Sequence, residues 1–399
     1  RIRAQFELAN REASRSFIQI LRSDTQLARL HAMWGLAMLD RRGDEQMDHI
    51  VPLLSDTDPE IRAHACRILG EANHITAKDA VSELIWDASP RVSFFATIAV
   101  GHLGGDLEAV VAMLERNENK DVYLRHAGVV SLANSEYQSA LANLSTHPNP
   151  AVRLAIVLAL RKQESQFVVH FLRDEDDEIA TEAARAIHDV PIPQCLDRLA
   201  WTVRGARTMP WQRRALSAAI TRGTRDDLES LLNFASDSSK SERMRMVAVQ
   251  ALQTWLHPPD REIVEGRWAP VRMTSSRRHG LIKRHMPDLI ASAQGELLTQ
   301  AVQLARIHDI QLPDELSRDL LMDESQPMSL RVHSLRYLLD SNAIQYGLES
   351  DHWELRAAAR DVKVDREFEG ILDEVLKVVH ESPFPEAQAA IRSLARIPD

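Results

Sequence analysis

The chain has 399 residues and a formal charge of −10, a length that one hydrophobic core serves only if the core is extended. Aromatic residues make up 5% and glycines number 14, against abundant Ala and Leu, a mix that favours helices over sheets. The acidic balance excludes a non-specific nucleic-acid binder, which carries a broad basic face, and no apolar run approaches the ~20 residues of a membrane helix.

In chain order, RIRAQFELAN from Arg1 reads as the second helix of a pair whose first helix is missing, as expected of a chain cut from a longer polypeptide. The stretch Asp56–Glu71 then sets the pattern for the rest. Asp58 is placed to N-cap, Pro59 sits at the first helical position, and Ile61, Ala65, Ile68 and Leu69 form one apolar stripe. Its hydrophobic-Arg pair recurs as Ala28-Arg29, Leu124-Arg125, Val152-Arg153, Met244-Arg245, Leu330-Arg331 and Leu355-Arg356, with degenerate copies from Ser89, Asp177, Met209, Leu297 and Glu386. Between the copies lie shorter apolar segments, Met47–Leu54, Leu107–Leu114, Tyr137–Leu144, Leu228–Ala235 and Phe368–Val379, each predicted as the first helix of a pair. Such pairs cannot bury their apolar faces alone, so they must stack.

The spacing predicts an all-α, right-handed α-solenoid (an alpha-alpha superhelix) of about 12 helical pairs. It divides into repeats over residues 1–255, a Pro- and Arg-rich insertion over 256–285 and further repeats over 286–399. The insertion is expected to be ordered in its first half, pinned by Trp255 and Trp268, and mobile in its basic second half. Trp268, Arg272, Arg277, Arg278, Lys283 and Arg284 make it a candidate interaction loop for an acidic protein surface or a lipid head group, set against a solvated loop. Cys66 and Cys195 fall about four repeats apart, tens of ångströms, and are expected as free buried thiols.

DPEIRAHACRILG, NPAVRLAIVLAL and VYLRHAGVVSLA resemble HEAT repeats. The resemblance implies a ladder between adjacent repeats, with Asp58 matched to Arg62, Asp121 to Arg125 and Asn149 to Arg153, broken at Ser93 and Ala180. Several segments, above all the string Trp255, Pro258, Pro259, Asp260, Arg261, Gly266 and Trp268, are similar to the central helical region of large planctomycete and verrucomicrobial proteins. In that family a β-propeller similar to sugar dehydrogenases precedes the array and a c-type cytochrome domain with CxxCH follows it. The resemblance thus implies an exported, periplasmic spacer, with haem in the parent polypeptide only.

The residues themselves point to no reaction. HExxH, CxxC, GxSxG, P-loop and GxGxxG patterns do not occur, and the acidic run Asp174–Glu178 lacks the glycine and spacing of a calcium loop. His31, His64, His102, His126, His188 and His333 fall in second helices, as surface or interface residues rather than ligands. The reading is a non-catalytic scaffold without cofactor or metal, whose partner is a protein or the flanking domains of the same polypeptide, with no nucleic acid and no membrane span. The alternatives are a stand-alone adaptor, or an enzyme on the same fold similar to bilin lyases or helical-repeat DNA glycosylases.

Overall fold

The structure is a computed structural model that describes residues 2–134, 138–271, 279–338 and 340–397. Its contacts divide into two compact units, Arg1–Leu199 and Ala200–Asp399. In the first, α1 (Ile2–Asn10) and α2 (Ser14–Ile20) pack on α3 (Gln26–Asp40). Then come α4 (Pro59–Glu71), α5 (Lys78–Glu83) with α6 (Pro90–His102), and α7 (Leu107–Asn117) with α8 (Val122–Ala133). Next are α9 (Gln138–Asn143) with α10 (Pro150–Lys162), α11 (Asp177–Asp189) and the short α12 (Leu196–Ala200). The second unit holds α13 (Met209–Arg222), α14 (Arg225–Ser236) with α15 (Glu242–Gln253), and α16 (His279–Ser292) with α17 (Gly295–Ile307). It continues through α18 (Asp314–Met322) with α19 (Met328–Tyr337), α20 (Ser341–Glu349) with α21 (Trp353–Asp365), and α22 (Ile371–Glu381) with α23 (Phe384–Leu394).

The all-α array of stacked pairs expected from the repeats is what each unit forms. The second helices pack in series, α3–α4–α6–α8–α10–α11 in the first unit and α13–α15–α17–α19–α21–α23 in the second. Their starts follow the sequence: Asp58 caps α4 by accepting from the Glu60 amide, Asn149 caps α10 through the Ala151 amide, and Pro59 and Pro150 open the helices behind them. Met47–Leu54, predicted as a helix, is instead two 3-10 turns, Met47–His49 and Val51–Ser55. Pro52 has no N–H to give to an α-helical carbonyl, and the tighter turn still buries Met47, Ile50 and Leu54. Cys66 and Cys195 are free and buried, and burial raises their thiol pKa values to about 12 and about 11.

Small residues near the helix ends set how closely the second helices approach. A Cβ on Gly70 of α4 would lie 2.7 Å from the Ala99 Cβ of α6, and one on Gly101 of α6 would lie 2.5 Å from the Ser131 Cα of α8. These contacts place backbone against side chain with no room for a methyl group. Gly101→Ala is therefore expected to cost about 1–3 kcal/mol in urea denaturation of the full chain. Gly280→Ala, where no atom lies within 4 Å of the added carbon, should be neutral or stabilising by up to ~1 kcal/mol.

Candidate functional site

Arginines at the fourth position after the N-cap tie successive pairs together, but not to the residues expected. In α4, Arg62 donates through Nη1 to the Asp56 carbonyl (2.8 Å) and through Nε and Nη2 to the two carboxylate oxygens of Asp87 in the next pair (2.8 and 2.9 Å). In α10, Arg153 repeats this with the His147 carbonyl (2.7 Å) and the Asp174 carboxylate (2.8 and 3.0 Å). Arg29 of α3 likewise forks onto Asp56. The expected matches of Asp58 with Arg62 and Asn149 with Arg153 are therefore corrected: the cap residues hold their own helix starts, and the partner stands two residues before the next cap. The same carboxylate also accepts the amide of that next cap, as Asp87 does from Ser89 and Asp174 from Asp176. The hydrogen bond from Arg62 holds Asp87 below the usual carboxylate range.

The ladder is interrupted where its arginine or its acid is replaced. Ser93 stands in the arginine position of α6 and donates to the Ile85 carbonyl (2.6 Å). Arg125 of α8 would reach the residue two before Asn149, which is His147, and among the described residues its guanidinium makes no hydrogen bond or ion pair. Asp121, its expected match, caps α8 through the Tyr123 and Leu124 amides. In the second unit the arginines find other acceptors: Arg245 the Ala235 and Ser292 carbonyls, Arg331 the Leu321 carbonyl and Tyr346 hydroxyl, and Arg356 the Glu386 carboxylate that Arg360 shares.

Along the second helices a row of half-buried aromatic and polar groups runs from α3 through α4 to α6. His31 Nδ1 meets Gln5 Oε1 at 2.8 Å, and Trp34 Nε1 donates to His64 Nδ1 at 3.0 Å. The His64 ring stacks on Phe95 (6.5 Å), and Phe95 meets Phe94 edge-on. The Arg67 guanidinium lies over both Trp34 and Phe95, and Arg91 lies over Phe95 from the other end. Glu71 pairs with Arg67 and Arg41, and Glu60 with Arg91, so each guanidinium over the rings is also ion-paired. Because His64 Nδ1 accepts the indole proton, the neutral ring is the form that fits. Burial lowers its pKa, and Arg91 and Arg67 add to this while Glu60 opposes it. Beside the row, a groove of about 210 Å³ runs between Arg67, Glu71, Phe95, Ile98 and His102.

The insertion is ordered from 256 to 271, as expected, with one of its two expected anchors buried and the other exposed. Trp255 is fully buried, whereas Trp268 is 66% exposed and meets the loop through its backbone bridge to Arg261. The anchor is Glu262: its buried carboxylate accepts from the Val264, Glu265 and Arg267 amides and from Ser217 Oγ of α13. Arg213 of α13 adds a hydrogen bond to the Ile263 carbonyl, and Arg261 bridges to Trp268. Of the candidate interaction residues, Arg272, Arg277 and Arg278 lie outside the described residues. Lys283 and Arg284 are exposed on α16, which begins at His279, inside the stretch predicted to be a mobile loop. Among the described residues no helix is long and apolar enough to cross a membrane, and no three His, Cys, Asp or Glu side chains are grouped to hold a metal.

The sequence family described as HEAT repeats matches residues 47–133, the stretch from the first 3-10 turn through α8. No curated protein matches the chain. Among solved structures, the chain is similar to an engineered protein solved by the Northeast Structural Genomics Consortium, at 16% identity over 96% of this chain and 98% of that one. The TM-score of 0.32 is too low for that likeness to carry an argument.

Two outcomes follow from this geometry. Arg153→Ala leaves the Asp174 carboxylate, 3% exposed, without its guanidinium and should cost about 3–5 kcal/mol in denaturant unfolding. Arg125→Ala should stay within ~0.5 kcal/mol, and His147→Asp, which restores the missing acid, should gain on the order of 1 kcal/mol only while Arg125 is present. The second outcome concerns pH. An unfolded His64 takes up a proton near pH ~6.5, before the folded ring does, so its contribution to stability is full above that pH and falls as the pH drops below it. The wild type should lose more stability between about pH 7 and pH 5 than His64→Gln does, a difference that paired thermal unfolding measures.

Proposed function

We propose that this chain is a non-catalytic helical-repeat scaffold that binds a protein partner on the second-helix face centred on Trp34, His64 and Phe95. The observation that carries the reading is the continuous row of aromatic rings and stacked guanidiniums crossing α3, α4 and α6. Trp, Phe and Arg are the side chains enriched where protein interfaces concentrate their binding energy, and stacked repeats present such rows over long surfaces. The rings are fixed by hydrogen bonds and ion pairs before any partner arrives, which reduces the ordering cost of binding.

A second reading places the array as a spacer between a propeller domain and a c-type cytochrome domain of an exported redox protein. What supports it is the likeness of the string Trp255 to Trp268 to that family; in this chain Trp255 is buried, and Arg261 donates to the Gly266 carbonyl (2.8 Å) and pairs through its backbone with Trp268.

A photoreactive side chain at Phe95 should form one discrete crosslinked product in the native source, lost in Trp34→Ala, while the same probe at exposed Ile75 forms none. Intact mass and haem staining of that native protein separate the two readings. A species much larger than 45.0 kDa with covalent haem supports the spacer, and a 45.0 kDa species without haem leaves the adaptor.

A further inference from the structure

In the second unit, a cavity of about 270 Å³ opens between the C-terminal ends of α17 and α19, lined by Arg306, Asp309, Ile310, Gln311, Arg336 and Tyr337. The Tyr337 hydroxyl donates to the Val302 carbonyl (3.3 Å), but the two guanidiniums of the lining are not satisfied within the described residues. Arg336 Nη2 donates to Asp361 (2.8 Å), but its Nε is buried and has no hydrogen-bond partner. Arg306 is exposed, and among the described residues its guanidinium meets no carboxylate or carbonyl. His333, one turn before Arg336, also leaves a buried ring nitrogen unpartnered. A buried N–H with no acceptor is a standing cost, removed when an acceptor oxygen reaches it.

We propose that this cavity binds the oxyanion group of a small molecule, a carboxylate or a phosphate, between the guanidiniums of Arg306 and Arg336. Guanidinium N–H groups in a fixed plane match the spacing of carboxylate and phosphate oxygens, and two of them facing one cavity supply charge-assisted donors from both sides. The volume is below the ~300–1,000 Å³ of pockets for drug-sized ligands, which limits the occupant to a small molecule. Asp309 and Gln311, also in the lining, offer an acceptor and an amide to the part of the ligand that carries no negative charge. The two guanidiniums also raise the positive potential locally. Burial lowers the pKa values of Arg336 and His333, and Arg306 lowers both further. Asp361 opposes this at Arg336, but its carboxylate is shared with Arg396 and Ser393.

The test is thermal unfolding of the full chain in sodium phosphate and, separately, sodium acetate, each against sodium chloride at matched ionic strength. A saturable rise in Tm of a few °C in phosphate or acetate is expected, absent in chloride and lost in Arg306→Gln, whose exposed side chain supports no internal contact. A rise with phosphate alone or acetate alone identifies which oxyanion the cavity takes. Because Arg336→Gln also breaks the contact with Asp361, the second readout is the His333 ring resonance in the wild type. Its pKa should move upward when the anion is bound and offsets the two guanidiniums. The proposal is overturned if neither anion raises the Tm above chloride up to about 50 mM, if Arg306→Gln responds as the wild type does, or if His333 does not shift at saturation.

Discussion

A helical pair in this chain has an apolar face that it cannot cover by itself, and every other feature depends on the way neighbouring pairs cover it for one another. Apolar burial has no direction, so it does not fix how far one pair slides along the next. The charged clamps do. Arg62 and Arg153 each bind a carbonyl before their own cap and a carboxylate before the next, while that carboxylate accepts the next cap amide. One guanidinium thereby fixes the starts of two helices at once. The close contacts at Gly70 and Gly101 fix the other ends, where backbone rather than charge sets the distance.

The surface row uses the same scaffold. Trp34, His64 and Phe95 lie on successive second helices, so their separation is the repeat spacing and their order is given by the stacking. The internal pairs Arg67–Glu71 and Arg91–Glu60 neutralise the guanidiniums without removing them from the rings. A surface of this kind presents flat, apolar, hydrogen-bond-capable area with little rotamer freedom left to lose.

Much of this was legible in the sequence. The cap at Asp58, the proline behind it and the stripe through Leu69 specify a helix and its buried side, and the repeated arginine marks a role in stacking. The partner of that arginine was hidden because the first elements differ in length: Arg29, Arg62 and Arg153 reach carboxylates 27, 25 and 21 residues away. A variable distance gives no motif, so the nearer Asp58 and Asn149 drew the assignment. Trp268 was expected to anchor the insertion because large aromatics usually bury, yet the loop is held by amides converging on Glu262, a residue type ordinarily read as solvated. The row through His64 has no sequence signature because its members differ in type from helix to helix, and only stacking brings an indole, an imidazole and a phenyl ring together.

The junction between α6 and α8 combines two of these features unevenly. At one end Gly101 and Ser131 are pressed together, while at the other Ser93 replaces the arginine and leaves the helix starts without a charged latch. Such a joint is close-packed at one end, where backbone sets the distance, and unlatched at the other, where a hydroxyl stands in the place of a guanidinium.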